Sequence, residues 1–181
     1  QEGAAGAVKL EGGQEVAATV QAMTQAGIPV MGHLGLTPQA VYQMGGYQVQ
    51  GKSESAALKL WRDAQALQQA GVFALVLECV PAELARFITQ KLDVVVIGIG
   101  GGVGCDGQVL VVNDLLGFYS GQSPKFSKRY LDLNQQIAQA FAQYKQEVEN
   151  QIFPAAEHEF SIDPAVVENL SRYEENGKKG N

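Results

Sequence analysis

Thiols and imidazoles are scarce in this chain of 181 residues, which holds two cysteines and two histidines. Cys79 and Cys105 form no disulfide framework, and their spacing does not suit zinc. Thiol catalysis by Cys79 would need a paired base, and so few histidines make that a weak reading. Basic residues are in deficit, 13 against 19 acidic ones, for a net charge of -6. No basic stripe marks a nucleic-acid footprint. No apolar run is long enough for a transmembrane helix. No secretory leader is visible, so the expected location is the cytoplasm. An initiating methionine is missing too. Gln1 to Ala7 reads as the tail of a helix and its glycine turn, so the chain is expected to begin inside a domain.

The composition is otherwise that of a globular domain, 46% hydrophobic and 18% charged. The length is enough for one sizeable core. The organising stretch is Leu75-Val76-Leu77-Glu78-Cys79-Val80-Pro81, an apolar run that ends in a carboxylate. Buried parallel strands read as continuous apolar runs. In α/β folds the chemistry sits beyond their carboxyl ends. Glu78 therefore stands where a catalytic group belongs. It could equally be a helix N-terminal charge favoured by the dipole.

Strands are expected at Ala7–Leu10, Ile28–Met31, Phe73–Leu77, Val94–Ile97 and Gln108–Val112. Helical patterns lie between them at Gln14–Ala26, from Ser53 to about Ala70, and after Pro81. Ser53 suits an N-cap, and Ala57, Leu60, Trp61, Ala64 and Leu67 mark the buried face that follows. This alternation is that of βα units, and doubly wound and barrel folds both fit it. A long amphipathic helix is expected over Leu131–Asn150, then a polar tail whose last residues, 174–181, are expected to be disordered.

Four successive strand ends carry polar or glycine-rich groups: Lys9 with Glu11, then His33, then Glu78, then Gly98 to Gly102. Parallel strands bring such ends to one mouth. Lys9 and Glu11 are two apart and share a strand face. They could be a plain ion pair, or could hold an anionic substrate beside a hard cation. His33 lies between glycines, which allow close approach, and a structural histidine fits as well as a catalytic one. The glycine run is not a dinucleotide fingerprint. Val103 takes its third position, and a strand rather than a helix follows.

Several motifs in order resemble the ketopantoate hydroxymethyltransferase family. They are Val8-Lys9-Leu10-Glu11-Gly12-Gly13, Gly32-His33-Leu34-Gly35-Leu36-Thr37-Pro38-Gln39, Gly45-Gly46-Tyr47 with Val49-Gln50-Gly51, and Leu77-Glu78-Cys79-Val80-Pro81. Ile97-Gly98-Ile99-Gly100, Asp106-Gly107-Gln108 and Pro124-Lys125-Phe126 continue the likeness, which covers nearly all of residues 3–160. The resemblance implies a (β/α)8 TIM barrel of the phosphoenolpyruvate/pyruvate superfamily over residues 1–160, with a polar C-terminal tail at 161–181. It implies transfer of a hydroxymethyl group from 5,10-methylenetetrahydrofolate to 3-methyl-2-oxobutanoate, giving 2-dehydropantoate for pantothenate and coenzyme A synthesis. By motif match, Glu78 would be the proton acceptor, Lys9 would bind the oxo acid, His33 would line the pocket, and Glu11 would belong to a Mg2+ site. A large homo-oligomer is implied as well.

The departures are part of the expectation. A (β/α)8 domain takes about 250 residues, so the first βα units, about three of eight, are expected to be missing. In the family those units hold the aspartates that bind the metal directly and a serine that contacts the oxo acid. Gly101 stands where the family usually has alanine. The chain is thus expected to be a C-terminal part of the domain, inactive alone. Two other readings fit the residues: another Mg-dependent 2-oxo-acid lyase of the same superfamily, and a non-catalytic barrel remnant.

Overall fold

In the computed structural model, residues 3–40, 48–118, 121 and 123–177 are described. They divide into two compact units, residues 1–132 and 133–181. The first is built on a sheet of five strands: β1 (Val8–Glu11), β2 (Val30–Gly35), β3 (Ala74–Glu78), β4 (Val95–Ile99) and β5 (Gly107–Gln108). All pairings are parallel, and the strands lie side by side in chain order. A doubly wound sheet reverses its strand order at a switch point. No reversal occurs among the described strands. The fold is α/β with a parallel sheet.

Alternation along each strand separates two faces. One carries Val30, Leu34, Leu75, Leu77 and Val96, all buried with the helices in a single core. Those helices are α1 (Ala17–Gln25), α2 (Glu54–Gln69) and α3 (Ala82–Lys91). They supply Val20, Leu60, Ala64, Leu67, Ala85 and Ile88 to that core. Each fully buried leucine or isoleucine contributes about 1.5–3 kcal/mol by transfer from water. The opposite face carries Lys9, Glu11, His33, Val76 and Glu78.

Helix ends follow from local chemistry. The Ser53 hydroxyl accepts the Ala56 N–H at 3.2 Å and caps α2. Gly71 stops the helix at φ 91°, its N–H donating to Gln68 O while the Val72 N–H donates to Leu67 O. Gly27 ends α1 by the same paired bonds, to Thr24 O and from Ile28 to Met23 O. Pro81 stands as the N-cap of α3.

Several boundaries differ from expectation. Strand β2 runs on through Gly32-His33-Leu34-Gly35, so His33 is a strand residue and not a loop residue. Its neighbours on both sides extend the pairing that far: Glu11 faces His33, and Gly35 faces Glu78. The fifth strand is only Gly107–Gln108, and Val112–Leu116 forms a short helix, α4. β-branched composition at Val109, Val111 and Val112 suggested a longer strand. Its partner ends at Ile99, where Gly100 turns the chain at φ 71°. Residues 3–7 form no helix. The Gly45-Gly46-Tyr47 motif lies outside the described residues.

The second unit consists of α5 (Leu133–Glu149), a 3-10 turn at Ala156–His158 and α6 (Pro164–Gly177). Phe153 packs edge-on against Tyr144, with centroids 5.6 Å apart, and against His158 at 5.0 Å. Residues 174–177, expected to be disordered, lie in α6, which Pro164 opens in the first-turn position that proline favours. No helix among the described residues is long and apolar enough to cross a membrane.

One buried carboxylate ties the β1–α1 loop to α2. Asp63 is 3% exposed, accepts the Gln14 N–H at 3.2 Å and receives Lys59 Nζ at 2.6 Å. It falls beside Leu60 and Leu67 on the buried stripe. A side chain at Gly13 would strike Asp63 directly. Asp63→Ala is expected to cost about 1–3 kcal/mol, because it leaves a backbone donor without its partner. Urea unfolding measures it, and a change below about 0.5 kcal/mol would mean that the loop is held by other contacts.

Candidate active site

Four side chains named from the sequence meet on the sheet face opposite the helices. Lys9 and Glu11 come from β1, His33 from β2 and Glu78 from the tip of β3. His33 is the centre, 2% exposed. Lys9 Nζ lies 3.3 Å from its Nδ1, and Glu11 Oε1 lies 3.6 Å from the same atom. On the far edge of the ring, Nε2 lies 3.1 Å from Glu78 Oε2. Glu11 and Glu78 are largely covered, at 20% and 14% exposed.

The chemistry of Lys9 fixes the tautomer of the ring. An ammonium group only donates, so Nδ1 must accept, and a neutral ring carries its proton on Nε2. That proton faces Glu78. The 3.1 Å separation is a close polar contact, but its angle falls outside hydrogen-bond geometry, so buried Nε2 has no aligned acceptor. The imidazole therefore separates the cation from the carboxylate by one ring width while touching both.

The backbone under Glu78 is held from three sides. Its carbonyl accepts the Leu36 N–H at 2.8 Å. The Cys79 N–H donates to Ile99 O at 2.9 Å, and Cys79 O accepts the Gln50 N–H at 2.8 Å. Cys79 itself sits at φ 51°, in the left-handed region, a conformation that costs a non-glycine residue about 1–2 kcal/mol. A side chain at Gly35 would collide with the Glu78 carbonyl oxygen, so the strand pair closes at this point only with glycine there.

Two pockets open at this end of the sheet. One, of about 670 Å³, is bordered by Lys9, Glu11, Glu15, Lys59 and Asp63. The other, of about 480 Å³, is bordered by Glu78 and Cys79 with Leu36, Val49, Ile99, Val111 and Phe126. Glu11 also accepts the Gln39 N–H through Oε2 at 3.3 Å. No group of three or more metal-ligating side chains is gathered among the described residues. Glu11 offers one hard oxygen donor set beside the Lys9 charge, which does not by itself fit a divalent cation.

The glycine turn after β4 is no nucleotide cradle. Gly100 and Gly102 take φ 71° and 75°, a strand follows, and Asp106 Oδ2 accepts the Val96 N–H at 2.8 Å. Gly101 has a Cβ position 3.3 Å from the Ala85 Cβ, so an alanine there would touch α3. Asp63 is the site-border residue that the sequence reading passed over. Its place between Leu60 and Leu67 was the available signal, masked by its i,i+4 spacing to Lys59, which reads as a surface pair.

Burial pushes both thiols up, helped at Cys79 by the negative charge of Glu78 and at Cys105 by that of Asp106, against a lowering hydrogen bond with Thr89. Both are therefore expected to stay protonated at neutral pH and to react slowly with iodoacetamide until the chain is unfolded. Rapid labelling of the folded chain at pH 7 would contradict this. Glu15 behaves oppositely. The N–H groups of Gly13 and of Glu15 itself hold its carboxyl below the usual range. A lowered folded value adds stability above the unfolded value of about 4.3, and that stability is lost as pH falls through the folded value. Protection of the Gly13 amide, corrected for the pH dependence of intrinsic exchange, is expected to fall on acidification below the unfolded value of about 4.3, and unchanged protection would refute the link.

Comparison with known proteins places this geometry in a family. A model of the family described as ketopantoate hydroxymethyltransferase matches residues 1–156. A protein of Carboxydothermus hydrogenoformans named 3-methyl-2-oxobutanoate hydroxymethyltransferase is 56% identical over 170 residues, covering 94% of this chain and 62% of the relative. A protein of the same name from Syntrophus aciditrophicus is 56% identical over 160 residues, covering 88% of the chain and 59% of the relative. One from Enterococcus faecalis is 51% identical over 170 residues. The chain thus spans about three-fifths of the length of the curated relatives it matches. With the motifs of β1, β2 and β3 gathered around His33, the chain belongs to the ketopantoate hydroxymethyltransferase family.

Proposed function

We propose that this chain carries the proton-transfer half of a hydroxymethyltransferase site. The reaction is transfer of a one-carbon unit from 5,10-methylenetetrahydrofolate to 3-methyl-2-oxobutanoate, giving 2-dehydropantoate. The observation that carries the reading is Lys9 and Glu78 on opposite edges of one buried imidazole. The names of the relatives supply the acceptor and the group transferred. The strand order, sequential and parallel, supports part of a (β/α)8 barrel of the phosphoenolpyruvate/pyruvate superfamily, and the family match over residues 1–156 supports a domain over residues 1–160 with 161–181 as a tail. The family resemblance supports a cytoplasmic homo-oligomer.

The chemistry follows from the two charges. Glu78 takes the proton from the carbon next to the ketone of the oxo acid. The electron pair left behind spreads onto the ketone oxygen, where the Lys9 ammonium stabilises it. Water adds to the methylene carbon of the donor, which leaves both nitrogens as formaldehyde while the two water protons pass to those nitrogens. The deprotonated carbon of the oxo acid then bonds to the formaldehyde carbon, whose carbonyl electron pair becomes an alkoxide. The proton held by Glu78 returns to the resulting alkoxide, so atoms and charge balance. His33, touching both Lys9 and Glu78, keeps their separation; expected to line the pocket, it is buried between them and borders neither pocket. A Mg2+ ion, which the family resemblance implies, would supply Lewis-acid chemistry at the ketone, and would need ligands besides Glu11.

In this reading the chain alone is inactive, because β1 pairs only with β2 and the described residues supply no complete metal site. The test is magnesium-dependent formation of 2-dehydropantoate by the chain, by a version extended at its N-terminus with the leading segment of the Carboxydothermus hydrogenoformans relative, and by that version carrying Glu78→Gln. Activity is expected in the extended form only. Glu78→Gln is expected to lower kcat by about 10²–10⁴-fold with little change in KM. Full activity with glutamine at 78, or none in a folded extended protein, would overturn the reading.

A further inference from the structure

Apolar side chains that reach water singly ask for no explanation. One group on the helical side of the first unit is contiguous. Trp61 of α2 meets Phe87 of α3 edge-on, with ring centroids 5.4 Å apart, and Phe87 is 44% exposed. Leu58, one turn before Trp61 on the same side of α2, is 46% exposed. Charges frame this group in the same order on both helices. Along α2, Glu54, Leu58 and Arg62 follow one another at i, i+4 and i+8, all exposed. Along α3, Glu83, Phe87 and Lys91 repeat that spacing, again all exposed. Both helices connect neighbouring parallel strands, so they run in the same direction. The two acidic ends therefore lie at one end of the face and the two basic ends at the other. None of the four charges has an ion-pair partner among the described residues. Asp93, beyond the end of α3, is bonded to Gln68 through both its backbone and its side chain. The helix dipole accounts for glutamates in first turns and for Lys91 in a last turn. It gives no reason for Arg62 or for the three apolar residues in the middle.

We propose that this face docks on the same face of a second copy of the chain. A two-fold axis that lies in the contact and crosses α2 at Leu58 and α3 at Phe87 reverses the helix direction of the partner. Each helix then faces its own counterpart, running the opposite way. Glu54 and Glu83 of one copy meet the basic ends of the other, and the apolar residues meet at the axis. Such self-complementarity is what an isologous contact requires. A partner of a single charge sign would instead meet like charge at one end of the face. Each copy carries a net charge of -6, so a contact between copies needs opposite charges placed locally, and this face has them. An aromatic centre inside a charged rim is also the usual make-up of a protein contact. The proposal names a face for the homo-oligomer put forward above and does not depend on the reaction.

Trp61 is the single tryptophan of the chain, so its fluorescence reports on this face alone. The test joins sedimentation velocity to acrylamide quenching of Trp61, on the 181-residue chain over a concentration series. The quenching constant is expected to fall about twofold as the chain associates, because the centre of a contact excludes water. Leu58→Glu sets two carboxylates against each other at the axis and is expected to weaken association about tenfold. Glu83→Lys and Lys91→Glu are each expected to weaken it, because each sets like charges together along α3. The two combined in one chain are expected to restore it, since every copy then offers the exchanged pair. All three positions are exposed, so the variants keep the fold, which circular dichroism checks. Association of the unaltered chain with unchanged Trp61 quenching would put the contact on another face and overturn the proposal. So would a chain that stays monomeric throughout the series, an unchanged association by Leu58→Glu, or a combined variant that associates no better than the single ones. The family reaction would stand in each case.

Discussion

Everything at the candidate site depends on a parallel register that sets Glu11 opposite His33 and Gly35 opposite Glu78. Side chains on a strand alternate, so a shift of one residue would exchange the two faces. Leu10, Leu34 and Leu77 would then take the polar face, and Lys9, His33 and Glu78 would enter the apolar core. The cost of burying those charges without partners is large, so the hydrophobic pattern that builds the core also fixes the polar face. The site is the reverse side of the same packing.

His33 is the costly element of that arrangement. A ring 2% exposed must be satisfied by protein groups, and Lys9 at Nδ1 and Glu78 near Nε2 are the groups that flank it. Because Lys9 only donates, a neutral ring is held in one tautomer, with its proton on the edge near Glu78. An ammonium group and a carboxylate are thereby kept on opposite edges of one ring.

Rigidity beneath Glu78 has a local source. The peptide on either side of Cys79 is bonded to three separate segments, at Leu36, Gln50 and Ile99, and these hold Cys79 in a left-handed conformation. Two of those residues, Leu36 and Gln50, border the two pockets. Strain at Cys79 and the position of the carboxylate are consequences of one set of backbone bonds.

The sequence by itself determined the alternation of strand and helix, the caps at Ser53, Gly27 and Gly71, and the strand-end position of Glu78. These follow from short-range rules: apolar periodicity, side-chain capping and the freedom of glycine. It also carried the motifs by which the family is recognised. Only the tertiary structure decided that His33 is a strand residue, since strand length depends on partners distant in sequence. The same holds for Val109 to Val112, β-branched enough for a strand but left without a partner strand once β4 turns away at Gly100. The burial of Asp63 and the separation of Lys9 from Glu78 into two pockets were decided there as well, because both depend on which segments the sheet brings together.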